Sequence, residues 1–190
     1  MSLEEIVDNT RTDKNTVHSY LPLYQKLLER KKETARNVLE VGIYLGGSIR
    51  LWSDFFTNAT VHGLDIGDEN TYGGWDDINN KDNIVLYSST DAYDEDLFTR
   101  NFLDKGIKCD FMLDDGPHHL DKMVKFIKMY SQIMTDDGIL IIEDIQEINW
   151  VNTLSDNVPD ELKPYIKIFD LRYIKDRHDD IVFVIDKLNV

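Results

Sequence analysis

The sequence predicts an α/β protein built on a mostly parallel seven-stranded sheet that ends in a C-terminal antiparallel hairpin. Three observations carry that expectation. Apolar strand-like runs alternate with helix-like segments as far as residue 142, the last two runs have no helical pattern between them, and 190 residues suffice for one continuous core.

The elements follow in order. Residues 1–16 are polar, and Tyr20, Leu21, Leu23, Tyr24, Leu27 and Leu28 then recur at helical spacing, which predicts an amphipathic helix over 19–30. Residues 1–34 therefore read as an N-terminal helical cap on a single domain of residues 1–190. Strands are expected at 37–41, 60–65, 83–87, 109–114 and 138–142, with helices near 47–56, 94–104 and 119–133. This alternation predicts βαβ units and a parallel sheet. Runs 165–171 and 180–187 are joined by the short polar stretch 172–179, so they should pair antiparallel. A dinucleotide-binding fold would continue with a sixth parallel strand. Five parallel strands and a hairpin suit the Rossmann-like methyltransferase sheet instead.

Composition narrows the function. The net charge is −15, from 21 basic and 36 acidic side chains, which repels phosphate backbones and argues against a nucleic-acid partner. The densest basic run, Arg30-Lys31-Lys32, reads as a solvated helix end that compensates the helix dipole. No apolar run is long enough to span a bilayer and no leader pattern opens the chain, so no membrane partner and a cytoplasmic location are the default expectations. The lone Cys109, at a strand entrance, is expected to be reduced and unreactive.

The first chemically telling stretch runs from Asn37 to Ser48. A strand leads into Glu40 and Gly42, and Gly46-Gly47-Ser48 then open a helix whose N–H groups suit a carboxylate. The spacing G-x-x-x-G-G is not that of a dinucleotide fingerprint. An ordinary tight β-to-α turn would also use these glycines. Asp65 ends the second strand 23 residues beyond Gly42, where an acid can accept from ribose hydroxyls, and Asp91 follows the third strand, where an adenine contact would fall. Glu40, Gly42, Gly46, Ser48, Asp65 and Asp91, with Asp114 at the end of strand four, form the candidate cofactor-binding set.

A second constellation is Asp114-Asp115-Gly116-Pro117-His118-His119 with Glu143-Asp144. Strands four and five should be neighbours, so both loops emerge at one sheet edge. Converging carboxylates repel unless protonated or bridged, and oxygen donors favour a hard ion such as Mg²⁺. His118 is the candidate general base, and His119 a helix-start residue. Asp-Asp pairs also occur at 76–77, 136–137 and 179–180, so the dipeptide alone is uninformative.

Together these residues resemble the metal-dependent sugar O-methyltransferases of macrolide biosynthesis, the mycinamicin and macrocin group often labelled cephalosporin hydroxylase. The resemblance runs from about Thr12 to the hairpin. It rests on Thr12-Asp13-Lys14 before His18-Ser19-Tyr20, on Glu40 to Ser48 followed by Arg50-Leu51-Trp52, on Asp114 to His118, and on Ile142 to Ile145. It implies S-adenosylmethionine as methyl donor, Mg²⁺ held by Asp115, Glu143 and Asp144, and His118 as base. The implied partner is a sugar acceptor, either a small molecule or a glycan, and assembly as a homo-oligomer is left open. Pro117 stands where the family carries Ser. Residues 146–160 are expected to form a loop over the acceptor, with Trp150 and Tyr20 as candidates for stacking on a sugar. A catechol-type methyltransferase would use the same carboxylates, and a non-catalytic cofactor-binding module of a glycan-modifying assembly would share the donor site.

Overall fold

In the computed structural model, which describes residues 1–188, the seven strands form one sheet of order β3-β2-β1-β4-β5-β7-β6. They are β1 (Asn37–Val41), β2 (Thr60–Leu64), β3 (Ile84–Tyr87), β4 (Cys109–Asp114), β5 (Met134–Ile142), β6 (Ile166–Asp170) and β7 (Ile181–Asp186). The first five are mutually parallel; β7 lies antiparallel between β5 and β6. The helices are α1 (Leu3–Ile6), α2 (Leu21–Leu28), α3 (Gly47–Phe55), α4 (Glu69–Tyr72), α5 (Asp76–Asn79), α6 (Glu95–Phe98), α7 (Leu120–Tyr130), α8 (Trp150–Asp156) and α9 (Arg172–Lys175).

The predicted fold class and the hairpin are as observed. β5 begins four residues before the predicted start: Met134 pairs with Cys109, Thr135 to Gly138 form an irregular stretch that shifts the register, and regular pairing resumes at Ile139. The hairpin connection is not plain coil, since α9 makes one helical turn in it. The predicted helix 94–104 is α6 continued by a π-helical turn, Thr99–Leu103. The expected loop 146–160 is largely helical: Val151 and Leu154 of α8 are buried in the core.

Both faces of the sheet are covered, which is why its central strands are apolar throughout. All six residues of β4 and of β7 are buried. On one face α7 presents Met123, Phe126, Ile127 and Tyr130 at helical spacing to Met112, Leu140 and Phe183. On the other, Leu21, Tyr24, Leu27 and Leu28 of α2 join Trp52, Phe55 and Phe111. Burying each such side chain contributes about 1.5–3 kcal/mol. The Arg30-Lys31-Lys32 run is not simply a solvated face: Lys31 is buried and paired with Asp110 and Asp137, and Arg30 reaches the buried Asp186. Cys109 is buried at the start of β4, and burial pushes its thiol pKa up. No helix among the described residues is long and apolar enough to cross a membrane.

One buried group makes stability acid-sensitive. His62 of β2 packs between Tyr87 and Phe102, and burial lowers its pKa to about 4. The folded chain keeps it neutral, whereas the unfolded chain protonates it near 6.5. Its contribution is therefore intact above pH 6.5 and is lost as pH falls towards 4. Between pH 7 and pH 5 this amounts to about 2 kcal/mol. Urea unfolding of His62→Leu should show a pH 7-to-5 loss of stability smaller than wild type by about that amount; an equal loss in both would place the acid sensitivity elsewhere.

Candidate functional site

The sheet order reverses between β1 and β4, the position at which open α/β sheets bind ligands beyond their carboxyl ends. A cavity of about 870 Å³ opens there, within the usual size of a ligand site. The loops after β1, β2, β3, β4 and β5 all contribute to its wall, and residues 9–17 of the N-terminal segment form another side.

The chain after β1 turns through Gly42 (φ 95°), because Asp115 crosses directly above it. A Cβ on Gly42 would lie 2.0 Å from the Asp115 carbonyl oxygen. Asp115 N–H also donates to the Val41 carbonyl, which locks the two loops together. Gly46 caps α3 in the left-handed region, and no side chain caps the helix, so its first N–H groups are free to face a ligand beside Ser48. Gly47 lets the Arg11 backbone pack on the helix start. The Arg11 guanidinium in turn donates to the Leu45 and Gly74 carbonyls and to Asp77.

Asp65 lines the cavity at the end of β2, but it also fastens its wall. Its carboxylate accepts N–H bonds from Ile43 (2.7 Å), Tyr44 (3.1 Å) and Gly67 (2.7 Å). A carboxylate has about four acceptor positions, and the Tyr72 hydroxyl lies beside the fourth, where a ligand hydroxyl would replace it. Asp91 is exposed on the same wall, accepts from the Tyr93 N–H and lies 3.7 Å from Lys122. Glu40 and Asp114 lie behind the surface instead. Glu40 is fully buried, accepts from the Trp52 indole at 2.9 Å, and burial raises its pKa to about 7. Asp114 accepts from the Tyr93 hydroxyl, and burial likewise raises it to about 7.

Three residues of the second constellation converge. His118 Nε2 lies 3.8 Å from Asp115 Oδ1 and 3.5 Å from Asp144 Oδ2. His118 and Asp144 hold positive φ values of 54° and 55°, and Tyr44 across the cavity holds 46°. Such backbone strain in non-glycine residues gathers where the surrounding structure imposes a functional geometry. Glu143, the third expected ligand, points away from the cavity: Lys14 donates to one oxygen and the Tyr24 hydroxyl to the other. Burial, with Asp115 close by, raises its pKa well above the ordinary range. His119 precedes α7 as its N-terminal flanking residue, as expected.

The sequence reading missed the N-terminal contribution. Besides Lys14, the His18 ring lies 3.3 Å from Asp144 and 2.6 Å from Asp180, and the Tyr20 hydroxyl donates to Asp144. Tyr20 is thus wholly buried and unavailable to stack on a sugar. Trp150, the other candidate, packs against the core beside α7. The one available signal was the conjunction of Lys14, His18 and Tyr20 in the resembling motif.

The residues suit a divalent cation. Asp115 Oδ1 and Asp144 Oδ2 accept no protein hydrogen bond, face the same imidazole, and form with it a set of donor atoms all within 4.8 Å of one another. Lys14 pairs with three of the neighbouring carboxylates, those of Glu40, Asp115 and Glu143, while Asp144 has no lysine partner, and this donor set leaves room for further positive charge.

No described protein-family profile matches the chain. It is 24% identical over 146 residues to the 8-demethyl-8-alpha-L-rhamnosyl tetracenomycin-C 2'-O-methyltransferase of Streptomyces olivaceus, covering 73% of this chain and 36% of that one. It is 24% identical over 165 residues to demethylmacrocin O-methyltransferase of Streptomyces fradiae, covering 83% and 40%. The chain thus spans well under half the length of these curated relatives. Among solved structures, the MycE methyltransferase of the mycinamycin biosynthetic pathway, in complex with Mg and SAH, superposes with TM-score 0.73 at 20% identity over 98% of this chain and 54% of that one. Aeropyrum pernix fibrillarin with bound S-adenosyl-L-methionine gives TM-score 0.60 at 15% identity, covering 80% and 66%. The chain therefore has the fold of the S-adenosylmethionine-dependent methyltransferases, and its sequence is similar to sugar O-methyltransferases.

Proposed function

We propose that the protein is an S-adenosylmethionine-dependent O-methyltransferase acting on a hydroxyl of a sugar or glycoside with the help of a divalent cation, Mg²⁺ by the chemistry of its ligands. The observation that carries this is the single cavity in which the α3 N-terminus and Asp65 face the Asp115–His118–Asp144 cluster. The 2'-O- and macrocin methyltransferase names of the relatives support the sugar as acceptor class. We assign residues 1–190 to one methyltransferase domain, with 1–34 as its N-terminal cap.

In this reading Gly42, Gly46 and Ser48 shape the donor's seat, and the α3 N–H groups receive its carboxylate. Asp65 takes a ribose hydroxyl with its fourth acceptor position, and Asp91 borders the base. Glu40 and Asp114 act from behind, Glu40 by orienting Trp52 and Asp114 by holding Tyr93 against the wall. Asp115 and Asp144 hold the cation. When bound, the donor supplies an electrophilic methyl group, and the cation lowers the pKa of an adjacent alcohol. His118 Nε2 stands too far from either carboxylate for a direct hydrogen bond, which leaves space for an acceptor hydroxyl whose proton it removes. The N-terminal residues 9–17 keep water from the donor side.

The test is methyl transfer from labelled donor to a panel of glycosides and free deoxysugars, with and without EDTA. Transfer to sugar hydroxyls that chelator abolishes is expected; transfer only to catechols, or none despite tight donor binding, would reject the acceptor class. His118→Gln should lower kcat/KM by about 10²–10⁴ while Mn²⁺ affinity stays near wild type. If affinity falls in step with rate, His118 is a metal ligand and not the base.

A further inference from the structure

Lys14 is among the largest fully buried side chains, and no catalytic step proposed above uses it. It arrives from the N-terminal segment and meets the carboxyl ends of three adjacent strands. Its ammonium donates to Asp115 Oδ2 at 2.6 Å and to Glu143 Oε1, and lies 3.6 Å from Glu40 Oε1. An ammonium has three N–H donors, and here three carboxylates surround it. The Tyr24 hydroxyl donates to the other oxygen of Glu143, so each oxygen of that carboxylate already has a protein donor. The opposite oxygen of Asp115 and the Oδ2 of Asp144 do face it.

We propose that Lys14 is a positioning residue that competes with the divalent cation for the carboxylate cluster. Asp115 Oδ1 and Asp144 Oδ2 are open to the ion without displacing the lysine, whereas Glu143 joins them only in competition with its ammonium. This rests on the cation-dependent reading given above. The physical basis is twofold. Two cations sharing one buried cluster repel each other, so the lysine weakens ion binding. The ammonium and the ion also cannot both approach Glu143 Oε1 closely, so ligation through that oxygen weakens its bond with Lys14. The lysine thus lowers the affinity for the ion and favours the acceptor side of the cavity.

The experiment is calorimetric titration of Mn²⁺ alone into the purified full chain, without acceptor. Wild type should bind one ion. Lys14→Met keeps the length of the buried stem but removes the charge, and should bind Mn²⁺ about tenfold or more tightly. Adding Glu143→Gln to Lys14→Met should return the affinity to within about threefold of wild type, because the gain runs through the freed carboxylate. Equal or weaker binding by Lys14→Met would overturn the inference, since a lysine with a purely structural role cannot strengthen ion binding when removed. If the single variant fails to fold, wild type labelled with ¹⁵N-lysine answers the same question. Mg²⁺ should shift the Lys14 ammonium resonance; no shift at saturating Mg²⁺ would overturn it. Absence of any Mn²⁺ binding by wild type would reject the cation-dependent function itself, an outcome distinct from failure of the lysine's role.

Discussion

Asp144→Asn is expected to abolish cation binding while leaving the fold and the donor's seat intact. The substitution is nearly isosteric, and Asn tolerates the left-handed backbone that Asp144 adopts at φ 55°. One orientation of its amide keeps the native bond from Tyr20. The Tyr20 hydroxyl donates to the oxygen on one side, so in that orientation the carbonyl takes that side and the NH₂ faces Asp115 and His118. A cation would then meet a donor hydrogen in place of a carboxylate oxygen. Mn²⁺ affinity should drop by at least about a hundredfold, and kcat/KM by about 10³ or more. S-adenosylhomocysteine affinity, measured by calorimetry without metal, should stay within about threefold of wild type, the scatter of context effects. Chelator-resistant methyl transfer by this variant would refute the metal's role.

Gly42→Ala should have the largest effect on stability. The added Cβ would lie 2.0 Å from the Asp115 carbonyl oxygen and would hold alanine at φ 95°. The contact is with backbone, so no side-chain rotation relieves it. One of the two loops must move, and with it the Asp115–Val41 bond. A loss of at least about 3 kcal/mol in urea unfolding is expected. Gly106→Ala is the control: its φ is 64°, but nothing lies within 4 Å of the added Cβ, so only backbone strain of about 1 kcal/mol applies. Gly42→Ala should also weaken S-adenosylhomocysteine and Mn²⁺ together, because a single collision displaces the walls of both seats. Equal stability losses in the two variants would show that the close approach is not maintained in solution.

What the sequence disclosed, and what it hid, follow from the range of the forces involved. The strands were legible because burial on both faces writes continuous apolar runs such as Ile139 to Ile142. The polar start of β5 was not, because Thr135 to Gly138 interrupt the ladder between Met134 and Ile139, and Thr135 to Asp137 stay at least partly accessible, with no apolar run to mark them. Strand ends were equally readable, so the candidate residues from Gly42 to Asp144 could be placed at one edge before any coordinates existed. Their orientations could not. Glu143 and Asp144 are consecutive, yet one turns inward to Lys14 and Tyr24 and the other faces His118. That choice is made by side chains more than 100 residues away in sequence. Tyr20 has the same lesson: an aromatic beside a polar site can serve as a hydrogen-bond donor to a carboxylate from within the core.

The stitching of the N-terminal segment to the strand ends has a consequence for how the protein becomes active. Lys14 meets Glu143 across 129 positions, and His18 meets Asp180 across 162. Contacts of such separation carry a high loop-closure cost and form late in folding. The sheet has enough apolar surface to collapse before residues 13–24 settle over it, but the carboxylates would then be unpaired and splayed apart. Competence for chemistry should therefore appear only in the last kinetic phase of refolding, after the recovery of β-sheet signal, and a chain still emerging from the ribosome would carry every proposed ligand without a working site.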